Sequence, residues 1–312
     1  MLTLYQFARI VEIRTKLVSV SSYLIGTLYA FAYAESFSLY RAILMFIATI
    51  AIDMGTTAFN SFFDYYRGID SRDTNREEDK VLVHQSVAPG YALFTAIGLF
   101  ALSIIPSVLL LIDVVISYGI AKAFLLLVAG ILSMLVGYFY NGGKKPISRG
   151  PLGELFAGGF LGGVLIIICI FIQKGYIAYQ DTLLALPSTV FIASILTVNN
   201  TCDIEGDKKA GRRTLSILIG RQKSEILIYL EAFLAFSLAY ACTIKNILPP
   251  ASPYTISLGL FYAVPQYVKM HKAGFSHKTK GISMMRILRI FTVFSAAIII
   301  PLAFAVLKKL SE

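Results

Sequence analysis

The chain has no tryptophan and only three cysteines in 312 residues, and 15% of its residues are charged, against about 25% in an ordinary soluble domain. Cys169, Cys202 and Cys242 show no CxxC spacing and no even framework. This excludes a disulfide scaffold and leaves them as small apolar fillers. The same composition excludes intrinsic disorder and a coiled coil. Without Trp, any aromatic belt at a lipid interface falls to the 18 Tyr and 22 Phe, and an interfacial Tyr needs no other explanation. The opening stretch, MLTLYQFARIVEIRTK, lacks a basic leader, a short apolar core and a small-residue cleavage site. The first apolar helix is therefore predicted to stay as an anchor.

What the chain has instead is apolar surface. Hydrophobic residues make up 57% of it, more than a soluble globule of this length can bury, so most of the chain is predicted to be solvated by lipid. Apolar stretches long enough to cross about 30 Å of hydrocarbon recur at 17–34, 40–65, 91–112, 119–140, 152–173, 181–202, 224–245, 250–268 and 286–307. The predicted fold is all-α: a polytopic membrane protein with nine transmembrane helices in one bundle and cytoplasmic lid loops at 66–90 and 203–223. It forms a single domain, 1–312, of two quasi-repeated halves, about 1–140 and 141–312. Pro106, Pro187, Pro265 and Pro301 fall inside spans, where membrane bundles tolerate them as kinks.

The net charge is +10, and its distribution argues against nucleic acid. Of 28 Lys and Arg, 22 fall in the N-terminal segment and the loops after helices 2, 4, 6 and 8. This asymmetry places those segments in the cytoplasm and the C-terminus outside, in a multi-pass protein of the cell membrane.

Carboxylates are expensive within a bilayer, yet they gather at the cytoplasmic ends of helices 2 and 6. The first segment reads FNSFFDYYRGIDSRD, with Asn60, Asp64, Asp70 and Asp73; the second reads NNTCDIEGDKKAGRRTL, with Asn199, Asn200, Asp203, Glu205 and Asp207. Residues four apart share a helix face, so Asn60 and Asp64 form a polar stripe that Asp53 extends, and Asn199, Asp203 and Asp207 form a second. Gly68 and Gly206 are predicted to loosen the two helix ends. The Asn-x-x-x-Asp unit thus occurs twice, like a weak internal repeat. Two facing copies would gather carboxylates that are stable together only around cations. Hard oxygen donors with amide help suit Mg²⁺, which keeps waters and bridges to substrate phosphates. The predicted ligand is a diphosphate tied by two Mg²⁺ to Asn60, Asp64, Asp70, Asp203 and Asp207. Asp64, Asp203 and Asp207 are the catalytic candidates, and Asn60, Asn199 and Asn200 help bind substrate. Lys144, Lys145, Arg149, Lys208, Arg212 and Arg213 fit as phosphate clamps.

These residues resemble the UbiA-type intramembrane prenyltransferase superfamily, whose members carry two Asp-rich motifs on helices 2 and 6 of a nine-helix bundle. A finer resemblance, to the 1,4-dihydroxy-2-naphthoate prenyltransferases of menaquinone biosynthesis, rests on IRTKLVSVSSYLIGTLYA (13–30), NSFFDYYRGID (60–70), YNGGKKPISRGPLGELF (140–156) and NNTCDIEGDKKAGRRTLSILIG (199–220). Three positions depart from the family pattern. Ser61 stands where the family often has Asp, Thr15 where Pro is common, and Gly142-Gly143-Lys144-Lys145-Pro146 where Gly-Gly-Pro is common. The resemblance implies a prenyl-diphosphate donor with its tail among lipid-facing helices, and an aromatic acceptor entering from the cytoplasmic side. The allylic C–O bond would ionise and the electron-rich ring would attack. Tyr65, Tyr66, Tyr138, Phe139 and Tyr140 are candidates to face the cation, with Tyr140 taken as substrate-binding. Glu154 opens helix 5, where a negative charge suits a helix N-terminus; Glu231 has no assigned role. Two alternatives stand beside this reading. One is another acceptor (4-hydroxybenzoate, homogentisate or a lipid alcohol). The other is a cation-coupled transporter.

Overall fold

A computed structural model of the chain describes residues 2–69, 80–85 and 87–312. Among these residues every regular element is helical, in the order α1 (Leu4–Ile10), α2 (Leu17–Tyr33), α3 (Leu39–Tyr66), α4 (Val81–His84), α5 (Pro89–Tyr118), α6 (Ile120–Phe139), α7 (Gly153–Lys174), α8 (Tyr179–Cys202), α9 (Ile204–Lys209), α10 (Leu215–Ile219), α11 (Arg221–Ile244), α12 (Ser252–Ala273) and α13 (Lys280–Ser311). Each of the nine predicted segments coincides with one long helix. Seven of them, α3, α5, α6, α7, α8, α11 and α13, are long and apolar enough to cross a membrane. The other two fall short for visible reasons: α2 has 17 residues, and α12 carries Pro265, Gln266, Lys269, His271 and Lys272 along its second half. The largest boundary differences are in α5, which runs on to Tyr118, and α13, which starts at Lys280. All four predicted intraspan prolines lie within helices.

The chain divides into two compact units, Met1–Ser19 with Tyr40–Arg149, and Val20–Leu39 with Gly150–Glu312. In the first unit, Met54, Ala58 and Phe59 of α3 pack with Ile10, Val11, Val81, Leu82, Ala92 and Ala96. The apolar triplet Val81–Val83 is buried and, together with the Lys80–Glu12 ion pair, fastens the end of the loop after α3. Large side chains such as Ile116 and Ile120 stay exposed, as expected of a surface solvated by lipid chains.

In the second unit the core is aromatic. Phe191 of α8 stacks at a tilt on Phe294 with ring centroids 4.7 Å apart, and Phe236 meets Phe294 edge-on at 5.0 Å, geometries that aromatic quadrupoles favour. Helix α7 carries a π-helical stretch over Gly158–Val164. Its glycines permit a very close approach to α8: a Cβ on Gly162 would lie 2.6 Å from Thr189 N and Cα, and one on Gly158 2.3 Å from Thr189 O. Small residues at such crossings let membrane helices gain van der Waals contact, since lipid tails offer no hydrophobic drive to pair them.

Candidate functional site: two acid-bearing helix ends

The first acid-bearing end is the last turn of α3. Asn60 and Asp64 lie one helical turn apart on α3. The Asn60 Oδ1 atom is buried without a hydrogen-bond partner among the described residues. Asp64 Oδ2 accepts a 3.1 Å bond from Asn141 Nδ2, and Asn141 is itself buried and accepts from Ser148 Oγ. The helix then closes on Gly68, whose φ of +68° is easy for glycine and strained for other residues. The Ile69 N–H bonds to Asp64 O at 2.9 Å and the Gly68 N–H to Tyr65 O at 3.0 Å, the bond pair of a Schellman stop.

Arg67, one residue past the span, ties this end to the loop after α6: its guanidinium donates to the carbonyls of Asn141 and Gly143. Burial, then the nearby charge of Arg149, makes Arg67 less basic than usual, with Asp64 acting in the opposite sense. Lys144 and Lys145 of that loop are exposed, and Arg149 is half-buried. Tyr140 caps α6, half-buried, with its carbonyl accepting the Ser148 N–H at 2.9 Å. Tyr138 packs edge-on against Phe59 and Phe63 as part of a ring cluster, which accounts for it without a substrate. Asp70, predicted as a metal ligand, lies outside the described residues.

Asp53, which helical spacing adds to the Asn60–Asp64 stripe, is paired with polar neighbours. Its Oδ1 takes a 2.7 Å bond from Lys16 Nζ and its Oδ2 a 2.6 Å bond from Ser19 Oγ, a buried ion pair that holds the N-terminal segment to α3. Ser61, where the family often has an acid, donates its hydroxyl to Ile10 O at 3.0 Å and so serves the same anchorage.

The second acid-bearing end is the junction of α8 and α9. Asp203 interrupts the helix with φ −104° and ψ 13°, yet the N–H of Asp207 still reaches Asp203 O at 2.8 Å. Gly206 sits inside α9 and does not end it. The stop is Gly211, with φ +72°, and the Arg212 N–H bonds to Asp207 O at 2.9 Å while the Gly211 N–H bonds to Lys208 O at 3.1 Å. This is the stop seen after Asp64. The turn geometry therefore aligns Asp64 with Asp207 and Asn60 with Asp203, a register set by Asp-x-x-x-Gly and invisible in the Asn-x-x-x-Asp pattern.

Asp207 is buried, and desolvation pushes its carboxyl above the usual range, with Arg212 pulling it back. Its Oδ1 faces Arg212 NH1 at 3.2 Å, and its Oδ2 has no hydrogen-bond partner among the described residues. Asp203 holds Lys280 Nζ at 2.6 Å on Oδ2 and faces His277 Nδ1 at 3.1 Å on Oδ1. Neither residue stood out in the sequence. Both lie more than 70 positions away in a loop whose bases read as positive-inside residues, and only the fold brings them to the motif.

Asn200 turns inward, donating to Glu154 Oε1 at 2.8 Å, and Asn199 lies 3.4 Å from Asn200 Oδ1. Glu154 is thus a buried partner of the second motif as well as an N-terminal helix charge. Glu231 Oε1 accepts from Thr197 Oγ1 at 3.0 Å, also on α8. Lys208 and Arg213 are exposed. A groove of about 650 Å³ between α11 and α12 is lined by Phe233, Phe236, Tyr240, Tyr267 and His271 among others, none of them acidic, and suits an apolar chain.

Among the described residues no three His, Cys, Asp or Glu side chains gather as a ready metal cage. The donors present still fit Mg²⁺. This ion takes one or two carboxylates, waters and substrate phosphates rather than an all-protein cage, and Asn60 Oδ1 and Asp207 Oδ2 are buried hard oxygen acceptors without a hydrogen-bond partner among the described residues. Such atoms cost free energy unless something satisfies them.

Comparison with known proteins gives concordant results. The model of the UbiA prenyltransferase family matches residues 19–284. The 1,4-dihydroxy-2-naphthoate octaprenyltransferase of Bacillus subtilis is 30% identical over 84% of this chain and 79% of its own length. The UbiA prenyltransferase domain-containing protein 1 of Xenopus tropicalis is 29% identical over 76% of this chain and 64% of its own. Two solved structures share the fold. A UbiA homologue from Archaeoglobus fulgidus bound to GPP and Mg²⁺ superposes with TM-score 0.62 at 17% identity, covering 93% of this chain and 99% of that one. An apo UbiA homologue from Aeropyrum pernix K1 does so with TM-score 0.66 at 17% identity, covering 92% and 98%.

Proposed function

The chain belongs to the UbiA prenyltransferase family and is a multi-pass membrane prenyltransferase, and from that premise we propose that it moves a polyprenyl group from an allylic diphosphate to 1,4-dihydroxy-2-naphthoate, a step of menaquinone biosynthesis, in a bundle of nine spans with its N-terminus and acid-bearing loops in the cytoplasm. The observation that carries this reading is the repeated helix end. Each motif stops on the same Gly turn and presents a buried oxygen acceptor with no hydrogen-bond partner among the described residues, Asn60 Oδ1 in one and Asp207 Oδ2 in the other. The naphthoate acceptor is favoured by the Bacillus relative, which that activity names.

Asn60, Asp64, Asp70, Asp203 and Asp207 would hold Mg²⁺. Bound there, the metal would neutralise the charge that builds on the departing diphosphate. The protein's own groups do the rest. Lys144, Lys145, Arg149, Lys208, Arg212 and Arg213 bind phosphate oxygens from the two basic loops, and charge-assisted bonds of this type strengthen as charge moves onto the leaving group. The apolar helices take the prenyl tail and exclude water, which protects an allylic cation from hydrolysis. Asn141 orients Asp64, and Glu154 orients Asn200. The C–O bond breaks with its electron pair leaving on the diphosphate, a ring carbon of the acceptor attacks the cation, and the naphthoate carboxylate leaves as CO₂.

The test is turnover by detergent-purified protein given one prenyl diphosphate, Mg²⁺ and a panel of acceptors. Product from the dihydroxynaphthoate supports the reading. Product from 4-hydroxybenzoate, homogentisate or a lipid alcohol alone overturns the acceptor, and cation-coupled flux into proteoliposomes with no prenyl transfer overturns the reaction.

A further inference from the structure

Glu154, in the first turn of α7, is 3% exposed in a span where a carboxylate is costly. Its Oε1 accepts a 2.8 Å bond from Asn200 Nδ2 on α8. Its Oε2 is buried with no hydrogen-bond partner among the described residues. The Asn200 amide is neutral, so this bond fixes the carboxyl group without supplying a counter-charge. Asn200 lies three residues before Asp203, about 4.5 Å along a helix. Glu154 is thus held one layer inward of the second acid-bearing end.

Two bland roles leave part of this side chain unused. A negative charge suits the N-terminus of α7, and Oε1 holds Asn200. Neither role occupies Oε2, and a buried carboxyl oxygen without a donor costs free energy. What would satisfy it is a hydroxyl, since O–H bonds to a carboxylate are short and strong. Of the two substrates, the ionised prenyl diphosphate brings only acceptors, whereas a hydroxylated aromatic brings the donor. A diphosphate held at Asp203 with its tail in the bundle also puts the reacting carbon inward of Asp203, at the depth of Asn200 and Glu154.

We propose that Glu154 is a catalytic residue for the aromatic acceptor: Oε2 binds the hydroxyl beside the attacked ring carbon and holds its proton during attack, while Asn200 keeps Oε1 in place. As that carbon, which carries the carboxylate, bonds to the allylic cation, the hydroxyl becomes a carbonyl and its proton passes to Glu154. When CO₂ leaves, the electron pair of the broken C–C bond returns through the ring to the same oxygen, which takes the proton back. No proton is gained or lost overall. This deepens the proposed prenyl transfer to a dihydroxynaphthoate and rests on it.

The experiment uses full-length protein in detergent with Mg²⁺. It measures the single-turnover rate of transfer to the dihydroxynaphthoate across a pH series, and the binding of a non-cleavable prenyl thiodiphosphate. Glu154→Gln keeps the side chain's size and its acceptor for Asn200, and removes the base. It is expected to bind the thiodiphosphate as the parent does and to transfer about a hundredfold more slowly at neutral pH, within the range of a lost general base. Its rate should climb with pH as the acceptor hydroxyl ionises unaided. A Glu154 that only holds Asn200 would leave Glu154→Gln near the parent rate at every pH. That result, or a rate and a binding constant that fall together, overturns the proposal. Glu154→Asp keeps a carboxylate and should lose less rate than Glu154→Gln. If the Gln variant does not fold, Glu154→Asp carries the test: slowed transfer with unchanged thiodiphosphate binding supports the proposal, and both unchanged or both reduced overturns it. If the parent itself prenylates no phenol, the reaction fails and the role of Glu154 with it; if the parent transfers and Glu154→Gln matches it, only the role of Glu154 fails.

Discussion

Replacing Asp53 by Asn keeps the shape of the side chain and removes its charge. In the native protein the Lys16 ammonium lies 2.7 Å from Asp53 Oδ1, the two side chains being 6% and 11% exposed. Removing one partner of a buried pair costs about 3–5 kcal/mol, because the other charge stays buried and unpaired. Lys16 would keep its 3.2 Å bonds to the residue-53 carbonyl and to Thr57 Oγ1, so the lower end, about 3 kcal/mol, applies. At roughly 2 °C per kcal/mol for a chain of this size, that is a fall of about 6 °C in melting temperature. Thermal unfolding in detergent, with prenyl transfer measured per folded molecule, reads both consequences. Asp53→Asn should lower the melting temperature and leave most of the turnover, and Lys16→Met with Asp53→Asn should recover at least half of the loss, since no stranded ammonium remains. An Asp53→Asn variant that melts normally but has lost turnover would refute this reasoning and return Asp53 to the acid stripe with Asn60 and Asp64.

Arg67→Ala should raise KM for the prenyl diphosphate by about tenfold or more, because two carbonyls of the Asn141–Gly143 loop lose a charge-assisted donor. Arg67→Lys should rescue little, since one ammonium cannot match a planar fork across two acceptors, and steady-state kinetics decide it. Ser61→Asp restores the acid common in the family, yet it should destabilise the protein without raising the rate, because it sets a charge against Ile10 O in a site 9% exposed; melting and turnover check it together. Gly162→Leu should cost about 1–3 kcal/mol or prevent folding, since its Cβ alone would meet the Thr189 backbone at 2.6 Å, read as yield and melting temperature. Chelation of divalent metal should abolish turnover, and added Mg²⁺ should restore it.

The long helices were legible because a run of about 20 apolar residues has few alternatives in lipid. The fine structure was not. The π-helical stretch at Gly158–Val164 coincides with the close approach of α7 to Thr189, a packing fact that leaves no local pattern. Asp64 and Asp207 were legible as site candidates because carboxylates at the ends of membrane-spanning segments need a reason. Their alignment was hidden, because it depends on Gly68 and Gly211 adopting positive φ, while Gly206 looked equally able to do so. Asp53 was grouped with Asn60 by helical spacing, and spacing says nothing about Lys16 reaching it from 37 residues away. Lys280 and His277 were unreadable for the same reason: a base in a cytoplasmic loop carries the positive-inside signal whether or not it touches an acid.

The proposed reaction requires both acid-bearing ends to serve one metal–diphosphate. Its most direct test is Mg²⁺-dependent binding of a non-cleavable prenyl thiodiphosphate to Asp64→Asn and to Asp203→Asn, each measured against the parent at equal folded fraction. Loss of binding in both variants is the expected result, since each removes an oxygen donor for the same ligand; unimpaired binding in either one would contradict the claim.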